Sequence, residues 1–308
     1  MQEMAREEAL PLAEIEVRER LVEEQSYWGA VWHRLRQDKI TMGAAITLVL
    51  ICVLALTASL IGNHILHHDP TDVNLDEKLE GPSSRHWLGT DEVGRDVLTR
   101  AIYAGRVSLS MGFAVALISM TMGVSLGLIS GFHGGRLIDD VINAIIQTLK
   151  NIPTLFLLIM LSMLFTPKPW LLALFIGVTG WMGTSRLVRG QVFSIRERDY
   201  VMAARAVGAS NWRIIFRHIL PNVSSMIIVI ATFDVAGAIL VESGLSYLGV
   251  GIQPPTASWG NMLRGSIETV KRAPWLATTP GVFIFLTTLS IFLLGDGLRD
   301  ALDPWLRE

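Results

Sequence analysis

Residues 107–132 read VSLSMGFAVALISMTMGVSLGLISGF and contain no Asp, Glu, Lys or Arg. About 20 apolar residues rising 1.5 Å each cross the ~30 Å hydrocarbon layer of a bilayer, so this run is long enough to span a membrane as a helix. Ser119, Gly123, Gly127 and Gly131 recur within it at steps of four and therefore share one helical face. In lipid such a face lets two backbones approach closely. The approach is either to another span of the same chain or to a second subunit.

Working outward, residues 40–62 and 273–295 are equally free of charge. Residues 141–165 are interrupted only by Lys150, with Pro153 after it at an expected kink. Residues 169–187 carry Trp170 and Trp181 near their ends, hold Gly177, Gly180 and Gly183 on one face, and are expected to stop at Arg186 and Arg189. Residues 222–241 hold Asp234 and meet Glu242 at their end. The expected architecture is all-α: a polytopic membrane protein of six transmembrane helices.

Composition agrees. The 308 residues are 51% hydrophobic and 18% charged, with a mean hydropathy of +0.44, too apolar for a soluble domain of this length. A net charge of −2 gives no basic field for nucleic acid. Cys52 stands alone in an apolar run, which leaves no disulfide and no Cys-based metal site. Residues 1–39 are charged throughout and lack the short apolar core of a signal peptide, so they read as a cytoplasmic arm.

Basic residues set the expected orientation. Arg186, Arg189, Arg196, Arg198, Arg205, Arg213 and Arg217 all fall between the fourth and fifth spans. That loop is assigned to the cytoplasm, with both termini on the same side. The expected organisation is an arm at 1–39, a first span at 40–66, and an extracytoplasmic loop with an interfacial helix at 67–106. A five-helix core follows at 107–295, containing a cytoplasmic loop at 189–221, and a tail occupies 296–308.

Within that loop residues 200–221 read YVMAARAVGASNWRIIFRHILP. Ala203, Ala204 and Val207 form a small apolar patch on a first helix, which Gly208 ends in the left-handed conformation. Ser210 caps a second helix, and Pro221 is expected to terminate it before the next span. Small side chains flanked by arginines allow a partner's groove to close on the backbone; a helix lying on the protein's own surface is the alternative.

This loop resembles the coupling helix of ATP-binding-cassette (ABC) importer permeases, with Met202 where the motif usually has Glu. LGTDEVGRD at 88–96, LSYLGVGIQPP at 245–255, SWG at 258–260 and GDGLRDALDP at 295–304 resemble, in order, the C-type permeases of dipeptide and oligopeptide importers. The resemblance implies a type I importer permease fold in the bacterial cytoplasmic (inner) membrane. It implies a homologous second permease, two ATPase subunits carrying ATP and Mg, and an extracytoplasmic binding protein. Tyr200, Met202, Ala203, Ala204, Arg205, Val207, Gly208 and Ala209 would be the ATPase-coupling residues. Glutathione, nickel chelates or other small solutes are the alternatives to peptides. A non-transporting membrane scaffold is the rival role.

The chain lacks G-x-x-x-x-G-K-[ST], so it is expected to bind no cofactor, hydrolyse no ATP and have no catalytic residues. No internal repeat marks a secondary transporter, and no nucleophile–base pair lies in a span. Asp234 and Glu242 are the candidates to line the pathway or meet the partner permease. Asp91 and Asp96 are expected to cap an interfacial helix on which Arg95, Arg100 and Arg106 recur at spacings of five and six; these arginines suit headgroups or a docked partner. Asp296 is expected to cap a short helix, 298–302, that Pro304 closes. His64, His67, His68 and Asp69 cluster after the first span; His64 and His68 at helical spacing could share a metal, but a solvated loop is the plainer expectation, and no metal site is assigned.

Overall fold

The computed structural model describes residues 27–165 and 168–302. Most of the N-terminal arm, the end of the tail and Pro304 lie outside the described residues. The described chain is helical, with only an isolated bridge between Thr90 and Asp96.

The principal helices are α1 (Tyr27–Gln37), α2 (Lys39–Leu56), α3 (Val97–Phe132), α4 (Leu137–Lys150), α5 (Thr154–Leu164), α6 (Pro169–Ile195), α7 (Asp199–Ala206), α8 (Leu220–Tyr247) and α9 (Trp275–Leu302). α2, α3, α6, α8 with the segment before it, and α9 are each long and apolar enough to cross a membrane; α4 and α5 make a sixth span if counted as one bent unit.

Asp38 starts α2 by accepting the Thr41 hydroxyl and the Ile40 and Thr41 amides, which hold its carboxyl below its usual range. The first span is shorter than expected, because α2 ends at Leu56. A short turn and a π-helix at Gly62–Leu66 follow, and His67 then turns left-handed with φ 56°. The span expected at 141–165 begins earlier, at Leu137, and bends by 77° between α4 and α5. Pro153 sits at that break, where its missing N–H and its ring would disrupt a straight helix.

α3 absorbs the separate interfacial helix expected before it: Asp96 caps one continuous 36-residue helix through the Thr99 amide at 2.7 Å. Asp91 instead closes a turn, accepting from the Val93 and Arg95 amides at 3.0 Å each. The three arginines have partners within the chain. Arg95 bonds Asp91 at 2.7 Å, Arg100 reaches the Pro70 carbonyl at 3.0 Å, and Arg106 caps α2 through the Ala55 and Leu56 carbonyls at 2.7 and 2.8 Å. The Arg106 guanidinium thus satisfies orphan carbonyls at the end of α2, which explains how that charge fits on this long helix.

The glycine stripe of α3 is buried against α6. A Cβ on Gly123 would lie 2.7 Å from the Thr184 side chain, on Gly127 2.8 Å from the Ser185 carbonyl, and on Gly131 2.7 Å from Val192. Gly177 meets Ile118 at 2.7 Å from the other side, while Gly183 faces open space. The close approach is therefore within the chain. α2, α8 and α9 pack around α3 through Ile51, Leu109, Val235, Ile239, Ile284 and Ile291. α6 continues past Arg186 and Arg189 to Ile195, and α9 runs unbroken through Asp296 to Leu302, so no separate tail helix forms.

Candidate functional site

The loop between α6 and α8 lies at the end of the bundle shared by α1 and the C-terminal end of α9. α7 is fastened there by one fully buried side chain, Val201. It joins Leu128, Phe132, Val188, Val192, Ile195, Ile214, Ile215 and Ile219 in a core of their own. The outward side of α7 is uncovered: Tyr200, Met202, Ala203, Arg205, Val207 and Gly208 are exposed, with Val207 at 85%, while Ala204 and Ala209 are half-buried.

Gly208 turns the chain at φ +83°, and the Ala209 amide reaches back to the Ala204 carbonyl at 3.0 Å, closing α7 with a left-handed cap. Ser210 then accepts the Arg213 amide and opens a helical turn at Asn211–Ile214. Pro221 does not terminate this second helix, contrary to expectation. A π-turn at Ile215–Ile219 precedes it, Pro221 falls in the first turn of α8 where its absent N–H is tolerated, and 211–247 run as one rod. The helical turn that follows Ser210 is thus continuous with a membrane span.

Two features of this surface were not legible beforehand. Trp212 and Phe216 stack at 5.6 Å with their rings 16° apart, and both are exposed; the signal was an i,i+4 aromatic pair just after a Ser cap. The arginines are partly committed to the chain itself. Arg196 caps α3 through the Gly131, Phe132 and Gly134 carbonyls at 3.3, 3.2 and 3.1 Å, and Arg205 lies over the Phe132 ring at 5.7 Å.

Behind the loop, polar side chains clamp the spans. Arg189 grips Asp139 through both oxygens at 2.6 and 2.7 Å, and Ser130 adds a third bond at 2.5 Å. Asp234 accepts from Ser119 and Thr184 at 3.1 Å each, which joins α8 to α3 and α6. Glu242 is fully enclosed, accepting from Ser246 at 2.7 Å and Ser108 at 3.4 Å; Ser108 in turn accepts the Trp259 amide at 3.1 Å. Glu242 therefore has no surface for a pathway or a partner in this conformation, whereas Asp234 is only partly buried.

His64 and His67 stand exposed, and the left-handed turn at His67 ends the helix that would have aligned His64 with His68. His68 instead stacks on His86 at 4.6 Å.

The described residues thus form a helical, multi-pass membrane bundle with acids clamped inside and a short helix whose outward side is uncovered. The family described as binding-protein-dependent transport system inner membrane component matches residues 123–308, and the N-terminal TM domain of oligopeptide transport permease C matches residues 26–82. The dipeptide transport system permease protein DppC of Bacillus subtilis (strain 168) is 42% identical over 284 residues, 92% of this chain and 87% of the relative. The oligopeptide transport system permease proteins OppC of B. subtilis (strain 168) and Escherichia coli (strain K12) are 37% and 38% identical over 92% of this chain and 91% and 93% of theirs. The chain belongs to the binding-protein-dependent inner membrane permease family. It is a multi-pass permease subunit of an ABC importer and not an enzyme; ATP hydrolysis resides in partner subunits.

Proposed function

We propose that this chain forms half of the translocation pathway of an importer for dipeptides or oligopeptides, beside a homologous permease. Two ATPase subunits carrying ATP and Mg dock on its cytoplasmic face, a binding protein delivers solute from outside, and both termini are cytoplasmic. The observation that carries this reading is α7, anchored by one fully buried side chain, Val201, and exposing Met202, Ala203, Val207 and Gly208. A helix lying on the protein's own surface would bury that patch, and exposed apolar groups at a membrane protein's polar end mark an interaction site. Peptides are favoured as solute because the relatives at 37–42% identity carry dipeptide and oligopeptide names.

The rod from Asn211 to Tyr247 supplies the coupling. Movement imposed on α7 by closure of the ATPases passes through the Val201–Ile214–Ile219 core into α8 as a rigid body, rocking it against α3 and α6. Of the two acids, Asp234 is the one we assign to the pathway or the permease interface. An Asp234→Asn variant that slows cationic and neutral peptides equally argues for a bundle clamp instead. Co-purification from the native membrane tests the assembly: the proposal expects two ATPases and a second permease with this chain, and their absence would leave a membrane scaffold.

A further inference from the structure

At the opposite end of the bundle from α7, residues 62–96 enclose an open polar cavity of about 580 Å³ lined by His68, Asp69, Asp72, Glu77, His86 and Asp96 among others. Nothing in the coupling mechanism uses it. His86 is 2% exposed and Asp96 4%, and His68 is half-buried beside them. One donor atom from each of His68, His86 and Asp96 lies within 4.8 Å of the other two.

His86 Nδ1 is 3.0 Å from Asp96 Oδ2, and its Nε2 is 3.4 Å from Glu77 Oε2. A neutral imidazole has one N–H and cannot donate to both carboxylates. A cation held between the ring and one of the carboxylates satisfies both nitrogens, and the remaining atoms leave room for it. Asp96 Oδ1 is occupied by the Thr99 amide, Glu77 Oε1 holds Arg85, and His68 Nε2 rests on the Arg85 carbonyl at 3.1 Å. That last bond fixes the proton on Nε2 and leaves the His68 Nδ1 lone pair available. His86 and Asp96 are thus oriented from behind by the Glu77 carboxylate and the Thr99 amide, the pattern that supports metal ligands.

We propose that His68, His86 and Asp96 bind a divalent transition-metal cation of the zinc type. The 3.0 Å between His86 Nδ1 and Asp96 Oδ2 is close to the ~3.3 Å that separates neighbouring ligands of a tetrahedral site with bonds of ~2.0–2.1 Å. The metal replaces the proton between them, Glu77 accepts the Nε2 proton of His86, and the open cavity supplies the route in. His68 now lies stacked on His86 with the rings 22° apart, so its ring swings about its side-chain bonds to bring its lone pair to the ion. The bound ion ties the exit of the first span to the start of α3.

The test is calorimetric titration of Zn2+ into the purified complex in nanodiscs with the affinity tag removed, repeated with Co2+ to read the visible absorption of a tetrahedral site. The expected result is one saturable site for this chain, weakened at least about tenfold by His68→Ala and unchanged by His64→Ala, whose side chain is exposed outside the trio. His86→Gln should abolish it; if that variant does not assemble, His68→Ala decides alone, since His68 caps no helix. Absence of saturable binding, or wild-type affinity in His68→Ala, would overturn the site and leave a hydrogen-bonded brace.

Discussion

Gly208 offers the sharpest perturbation, because its substitution strains the backbone without touching a neighbour. Its φ is +83°, and a Cβ there would have no atom within 4 Å. A larger residue therefore meets only the cost of the left-handed region, about 1 kcal/mol for Ala and about 2–3 kcal/mol for a β-branched residue. At ~1.4 kcal/mol per tenfold, the ratio of the native cap of α7 to its other conformers falls by about fivefold for Gly208→Ala and by roughly 30- to 150-fold for Gly208→Val. Asn tolerates this conformation and should stay near wild type. Peptide uptake into proteoliposomes and peptide-stimulated ATPase activity should both decline in the order Gly, Asn, Ala, Val. The amount of chain in the membrane should stay constant, since the spans do not depend on this residue. Uptake by Gly208→Val equal to wild type at matched abundance, or an Asn variant as impaired as Val, would refute the claim that the left-handed cap positions the coupling surface.

Arg189→Ala leaves the Asp139 carboxylate to Ser130, Asn143 and the Gly135 amide alone, and a lowered thermal midpoint of the detergent-solubilised complex should report the loss. Gly123→Val drives new atoms into Thr184 and the Trp181 carbonyl, costing ~1–3 kcal/mol, whereas Gly183→Ala, which faces open space, should leave the midpoint unchanged.

The spans were legible because an uncharged run of membrane length has few alternatives in water. Their ends were not, since ends depend on partners distant in sequence. Arg106 looked like an interfacial charge, yet its guanidinium satisfies carbonyls at Ala55 and Leu56, about 50 positions earlier. Asp139 and Arg189 are likewise 50 residues apart and nothing local links them. Pro221 reads as a stop by its chemistry, yet it falls in the first turn of α8, where a missing N–H is tolerated, and the helix continues. The glycines at 123, 127 and 131 announced a close contact without naming its partner, which only the fold identifies as α6. The apolar patch of Ala203, Ala204 and Val207 is legible in the sequence, whereas the full burial of Val201 depends on Ile214 and Ile219 beyond the glycine turn.

Cross-linking between α7 and an ATPase subunit tests the account most directly. With Cys52, the chain's lone cysteine, replaced by Ser, single cysteines at Ala203 and Val207 should each cross-link to an ATPase subunit bearing cysteines along its permease-facing cleft, and ATP should change the yield. A cysteine at Val201, buried in the loop core, should not react. Failure of both exposed positions in an assembled complex, with cross-links appearing only elsewhere on the chain, would contradict the assignment of α7 as the coupling surface.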